Sequence, residues 1–95
     1  MRDYELVMIV SPEVEDEAVS STVERVQGFI AENGGEVKEV TPWGRRRLAY
    51  PIDRFVEGSY VIAQLALDPQ QVGALEDNLK RSDDVIRHLV VLREE

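Results

Sequence analysis

Cysteine is absent from the 95 residues. That excludes disulfides, thiol nucleophiles and any zinc site built on thiolates, and it fits a reducing compartment. Histidine occurs once, as His88 in the last predicted strand. A general base needs a partner and a pocket, and a metal needs several ligands, so His88 reads as a packed or edge-satisfied side chain. Neither a metal nor any other cofactor is expected. No apolar run approaches the roughly 18 residues that span a membrane. Met1-Arg2-Asp3-Tyr4 enters an alternating segment directly, without the anatomy of a signal peptide. The chain reads as soluble, cytoplasmic, unprocessed and, at this length, a single domain over residues 1–95.

Positive charge is in short supply: 11 Lys and Arg face 19 Asp and Glu, a net charge of −8. Such a sum argues against nucleic acid, but its distribution is uneven. Between Ser11 and Glu39 eight acids stand against Arg25 and Lys38. Between Val40 and Val56, Arg45, Arg46, Arg47 and Arg54 stand against Asp53 alone. A local basic patch can bind an anion despite an acidic total. Hydrophobic residues make up 43%, enough for a folded core.

Tyr4 to Val10 alternates as a strand with apolar residues on both faces. Ser11-Pro12 breaks it. A helix follows from about Val14 to Asn33, with Val19, Val23, Val26 and Ile30 on one face and acids at its positive end. Asn33-Gly34-Gly35 is a stop signal. Glu36 to Tyr50 reads as a long strand interrupted around Pro42-Trp43-Gly44, Ile52 to Gly58 as a hairpin loop, and Ser59 to Leu67 as a strand. Asp68-Pro69 opens a second helix, with Gln71 placed to close a capping box. Ser82-Asp83-Asp84 turns the chain into a last strand, Val85 to Leu92, and Arg93-Glu94-Glu95 is a short tail. The order βαββαβ predicts an α+β ferredoxin-like sandwich, a four-stranded antiparallel sheet with two helices on one face.

Nothing in this pattern assembles a reactive site. Gly34-Gly35 lacks the spacing of a phosphate loop and ends a helix. Small phosphatases of this fold bind their anion between the first strand and helix, where this chain carries Ser11-Pro12-Glu13-Val14-Glu15 and would repel it. The acids from Glu13 to Glu17 read as a solvated helix start. A minimal enzyme and a ligand-sensing α+β module remain as alternatives, the former without residues to support it.

Two features point elsewhere. Arg45-Arg46-Arg47 in a strand send like charges to both faces. Either an external anion relieves their repulsion, with Trp43 and Tyr50 stacking beside it, or the three form a solvated, aggregation-resistant edge. Second, if Leu6, Met8, Val61, Leu65, Leu67 and Val90 face the helices, then Val7, Ile9, Tyr60, Ile62, Leu89 and Val91 face outward. A solvated face should be polar, so this one suggests a protein partner or a dimer, unless a bulge shifts the register. The third strand has Tyr60 where RNA-recognition motifs of this fold need several aromatics, so base stacking on the sheet is not the expected mode.

Met1-Arg2-Asp3-Tyr4-Glu5-Leu6, Gly44-Arg45-Arg46-Arg47-Leu48-Ala49-Tyr50-Pro51-Ile52, Gly58-Ser59-Tyr60 and Asp83-Asp84-Val85-Ile86-Arg87 together resemble the bacterial small-subunit ribosomal protein family numbered six, over almost the whole chain. The resemblance implies a structural, non-catalytic protein of the ribosome. It implies binding to 16S ribosomal RNA together with the small-subunit protein numbered eighteen, which would use the outward apolar face. It makes Arg2, Tyr4 and Arg87 candidate RNA contacts beside Arg54, and lets Arg45, Arg46 and Arg47 serve the RNA, the partner or both. The chain departs from the family in having Asp53 where a basic residue often follows the Pro-Ile pair, and in its short tail.

Overall fold

Alternation at the N-terminus folds as expected in a computed structural model that describes residues 1–93. Strand β1 runs Arg2–Val10, helix α1 Asp16–Glu32, β2 Glu36–Ile52, β3 Phe55–Leu67, a 3-10 turn Pro69–Gln71, helix α2 Val72–Arg81 and β4 Val85–Leu92. Glu94 and Glu95 of the expected tail lie outside the described residues. The sheet is antiparallel throughout, in the order β2-β3-β1-β4. Both helices pack on the face that carries Leu6, Met8, Val10, Val61, Leu65 and Leu67, where Val26 and Ile30 of α1 and Leu75 and Leu79 of α2 complete the core. This is the predicted ferredoxin-like arrangement.

Local chemistry accounts for the boundaries. Helix α1 starts two residues later than its apolar pattern suggests, because Ser11 holds the preceding turn. The Ser11 hydroxyl accepts from the Glu13 N–H at 3.1 Å and its carbonyl accepts from the Val14 N–H at 3.0 Å. The helix ends in a Schellman motif: the Gly34 N–H reaches the Ala31 carbonyl and the Gly35 N–H the Ile30 carbonyl, with Gly34 at φ +81°. Asp68 caps the second helical segment as predicted, but the first turn is 3-10. Its carboxylate therefore accepts from the Gln70 N–H at 2.9 Å, and Gln71 donates its own N–H to the Asp68 carbonyl instead of closing a box.

The β2–β3 hairpin differs most from expectation. Its loop is only Asp53-Arg54, with Ile52 paired to Phe55, so β3 begins four residues before Ser59. Asp53 sits at φ +53°, a left-handed conformation that its short side chain tolerates. The expected interruption of β2 is a register shift between Pro42 and Gly44, with Gly44 at φ +81°, not a break. A second irregularity, between Ile9 and Val10, sets Val10 opposite Val85. Ile86 is thereby displaced to the outer face beside Ile9 and Gly58, whereas His88 and Val90 remain opposite Met8 and Leu6. Ile86 and His88, two apart along the strand, thus face opposite sides of the sheet.

Gly58 lies directly beneath Ile9: a Cβ there would come within 2.5 Å of the Ile9 side chain and 3.1 Å of the Val10 carbonyl. Gly58→Val is therefore expected to cost about 1–3 kcal/mol by overpacking, and Gly34→Ala about 1 kcal/mol through its left-handed cap. Urea denaturation of the two variants checks both figures.

Candidate functional site

The outer face of the sheet is built by the residues that alternate with the core. Val7 and Ile9 of β1 lie opposite Ile62 and Tyr60 of β3 on one side, and Leu89 and Arg87 of β4 on the other. Val91 continues the row beside Glu5. All six predicted apolar residues therefore share this face. They are not equally open. Ile9 is only 7% exposed, whereas Leu89 is 57% exposed, and Val91 is also exposed.

The chain itself covers part of the face. β2 and β4 are opposite edges of the sheet, three strand spacings or about 14 Å apart. Yet the Tyr50 hydroxyl, on β2, lies 3.4 Å from an Arg87 guanidinium nitrogen that donates to it. The hairpin end must bend across β3 and β1 to make this contact. Leu48, 8% exposed, is buried in the process. Between arm and sheet lies a cleft of about 230 Å³ lined by Leu48, Tyr50 and Ile52 above and Val7, Ile9 and Leu89 below. Leu48 and Ile52 were not read from the sequence as part of this face. Their nearness was hidden because the ladder loses register between Arg47 and Ile52.

The arginine cluster divides as a strand's two-residue period requires. Arg45 lies opposite Ser59, on the helix side. Its guanidinium donates to the Pro12 carbonyl at 3.1 Å, the Val14 carbonyl at 3.4 Å, and the carboxylates of Asp16 and Glu57, both at 3.3 Å. At the hairpin tip Arg54 pairs with Glu13 at 3.0 Å and lies over the Phe55 ring at 4.6 Å. These two arginines pin the hairpin to the β1–α1 loop. The acids there are not merely a solvated helix start: Glu13 and Asp16 take cations from the same chain.

Arg46 leaves on the outer face, opposite Gly58. It lies 5.2 Å from the Trp43 ring centroid, and its Nε donates to the Trp43 carbonyl at 3.4 Å. Arg87 shares this face and keeps further N–H groups beyond the one that meets Tyr50. Arg47 lies in register with Glu57, exposed, and by alternation on Arg45's side. Arg2, exposed and opposite Leu67, sits at the far end of β1 and on the helix side, so it does not join Arg46 and Arg87. Tyr4 is a correction. It is 7% exposed and belongs to the core cluster with Leu6 and Leu65, because it shares their parity; its ring is not offered for contact.

The result is an apolar platform, half roofed by its own hairpin and flanked by Arg46 and Arg87, on the side away from the helices. Such a surface can bury apolar side chains and hold phosphate at its margin. Among the described residues no three His, Asp or Glu side chains gather as a metal would need, and no helix is long and apolar enough to cross a membrane. Arg45→Ala is expected to lower stability by about 1–2 kcal/mol, since it strips partners from two carbonyls and two carboxylates at a third-exposed site. Arg46→Ala should stay within about 0.5 kcal/mol of the parent. Thermal unfolding of the pair separates the structural arginine from the available one.

A family model described as ribosomal protein S6 matches residues 3–92. The small ribosomal subunit protein bS6 of Desulforamulus reducens is 40% identical over 91 residues, covering 96% of each chain. That of Moorella thermoacetica is 41% identical over 95 residues, covering 100% of this chain and 97% of its own. Among solved structures, the crystal structure of 30S ribosomal protein S6 from Thermotoga maritima superposes with a TM-score of 0.91 at 33% identity, covering 97% of this chain and 87% of that one.

Proposed function

The chain belongs to the ribosomal protein S6 family, and from that premise we propose that it is a structural constituent of the small ribosomal subunit that performs no catalysis. In this reading it binds 16S ribosomal RNA together with the small-subunit protein numbered eighteen, on the ribosome in the cytoplasm, and the whole chain acts as one domain. The observation that carries the reading is the outer face: exposed Leu89 and Val91 beside Tyr60 and Ile62, with Arg46 and Arg87 at its edge.

The division of labour follows from the arginines. Arg45 and Arg54 are committed to Glu13, Asp16 and Glu57. Arg46, Arg47 and Arg87 are the ones available to phosphate, and Arg2 can reach a more distant part of the same RNA. Few phosphate contacts mean weak, salt-sensitive binding by the protein alone. Burial of the apolar platform against the partner supplies the remainder. Tyr4 has no part in the contact.

A titration of a 16S central-domain RNA fragment, with and without the partner protein and at two salt concentrations, tests this. Binding should need the partner and weaken with salt. Arg46→Ala and Arg87→Ala should each flatten the slope of log affinity against log salt by about 1, and Leu89→Asp should abolish the gain from the partner while leaving the fold intact. RNA binding that ignores all three substitutions would move the interface off this face.

A further inference from the structure

The acidity of the chain is confined to one layer. Segments 13–32 and 68–84, which form the helices and the turns around them, hold eleven acids and three bases; the remaining residues hold eight of each. The whole net charge of −8 therefore belongs to the helix layer. A polyanion is repelled from that side and a cation is drawn to it.

Beside α1 this layer is open. A groove of about 400 Å³ runs between α1 and β2, and continues past Asp16 into a hollow of about 300 Å³ that reaches Gly44. Val19, Val23, Val40 and Val61 make its apolar base; the first three are only half-buried. Along the helix, Asp16, Ser20, Glu24 and Gln27 form the rim, spaced by four, four and three residues and so aligned on one side of α1. Glu24 has no ion-pair partner among the described residues.

The free edge of β2 is badly suited to adding a strand. Its register against β3 shifts between Val37 and Glu39, between Pro42 and Gly44 and again between Arg47 and Ile52, and Pro42 has no N–H to donate. Side-chain docking is left. Asp16 to Gln27 spans about 16 Å of α1, the length of a three-turn helix. From the apolar base, the unpaired Glu24 on its rim, the acidic layer around it and the blunted edge we infer that this groove docks a cationic amphipathic helix of a protein partner, on the side opposite the platform. Its apolar face would lie over the valines and its Lys or Arg side chains against Glu24 and the acidic layer.

The probe is a synthetic, N-acetylated 14-residue Lys/Leu helix added to the isotope-labelled full chain and followed by NMR. Saturable shifts should centre on Val19, Val23 and Val40. A scrambled peptide of equal composition without an apolar face should bind at least about tenfold more weakly, as should the parent peptide to Glu24→Lys. Ser20→Trp, at an exposed position, should fill the groove and block binding without lowering Tm. Equal binding of the scrambled peptide, shifts spread over α2 and the remaining acids, or full binding to Ser20→Trp would overturn the site, since each reduces it to general acidity.

Discussion

The register of β1 is the constraint on which the rest of the molecule depends. As an inner strand between β3 and β4, it must present Tyr4, Leu6, Met8 and Val10 to the helices and Val7 and Ile9 to the outer face. A slip of one residue would exchange the two sets. Gly58 and Ile9 hold the end of this arrangement: the missing Cβ lets Ile9 settle over β3, and the bulge beside it turns Ile86 outward. The core and the platform are thus two consequences of one ladder.

Electrostatics divides along the same layers. Segments 13–32 and 68–84, the helices with the turns around them, carry the whole net charge of −8, and the rest of the chain is balanced. Glu13 and Asp16 of the acidic part engage Arg54 and Arg45 of the balanced part, while Arg46 and Arg87 remain with the sheet's outer face. An acidic member of this family thereby presents a polyanion with one favourable side. The helix layer resists contact with phosphate, and the sheet face has arginine to give.

Much of this was legible in the pattern of residues. Period-two alternation in β1 and β3 identified both faces of the sheet, and Asn33-Gly34-Gly35 and Asp68-Pro69 marked real helix boundaries. What escaped was whatever depends on tertiary bending. The loop inferred from Ile52 to Gly58 is mostly strand, because a two-residue turn needed only Asp53 in a left-handed conformation. The hairpin's fold across the platform joins Tyr50 to Arg87, 37 residues apart, and no local periodicity carries that contact. Tyr4 differs for the opposite reason: its parity already placed it with Leu6 and Met8, where it is buried, and it entered as an RNA contact only by position, through the family resemblance.

Arg45, Arg46 and Arg47 show why a charge cluster in a strand is seldom one site. Consecutive residues face opposite sides, so three like charges need at least two separate means of relief. Arg45 finds carbonyls and carboxylates within the chain. Arg46 finds the π face of Trp43, an interaction that spreads its charge without removing it. A guanidinium held over a ring retains in-plane N–H groups that can still fork onto phosphate. The cluster is therefore two things: Arg45 is committed within the chain on one face of the strand, and Arg46 stays exposed beside Trp43 on the other.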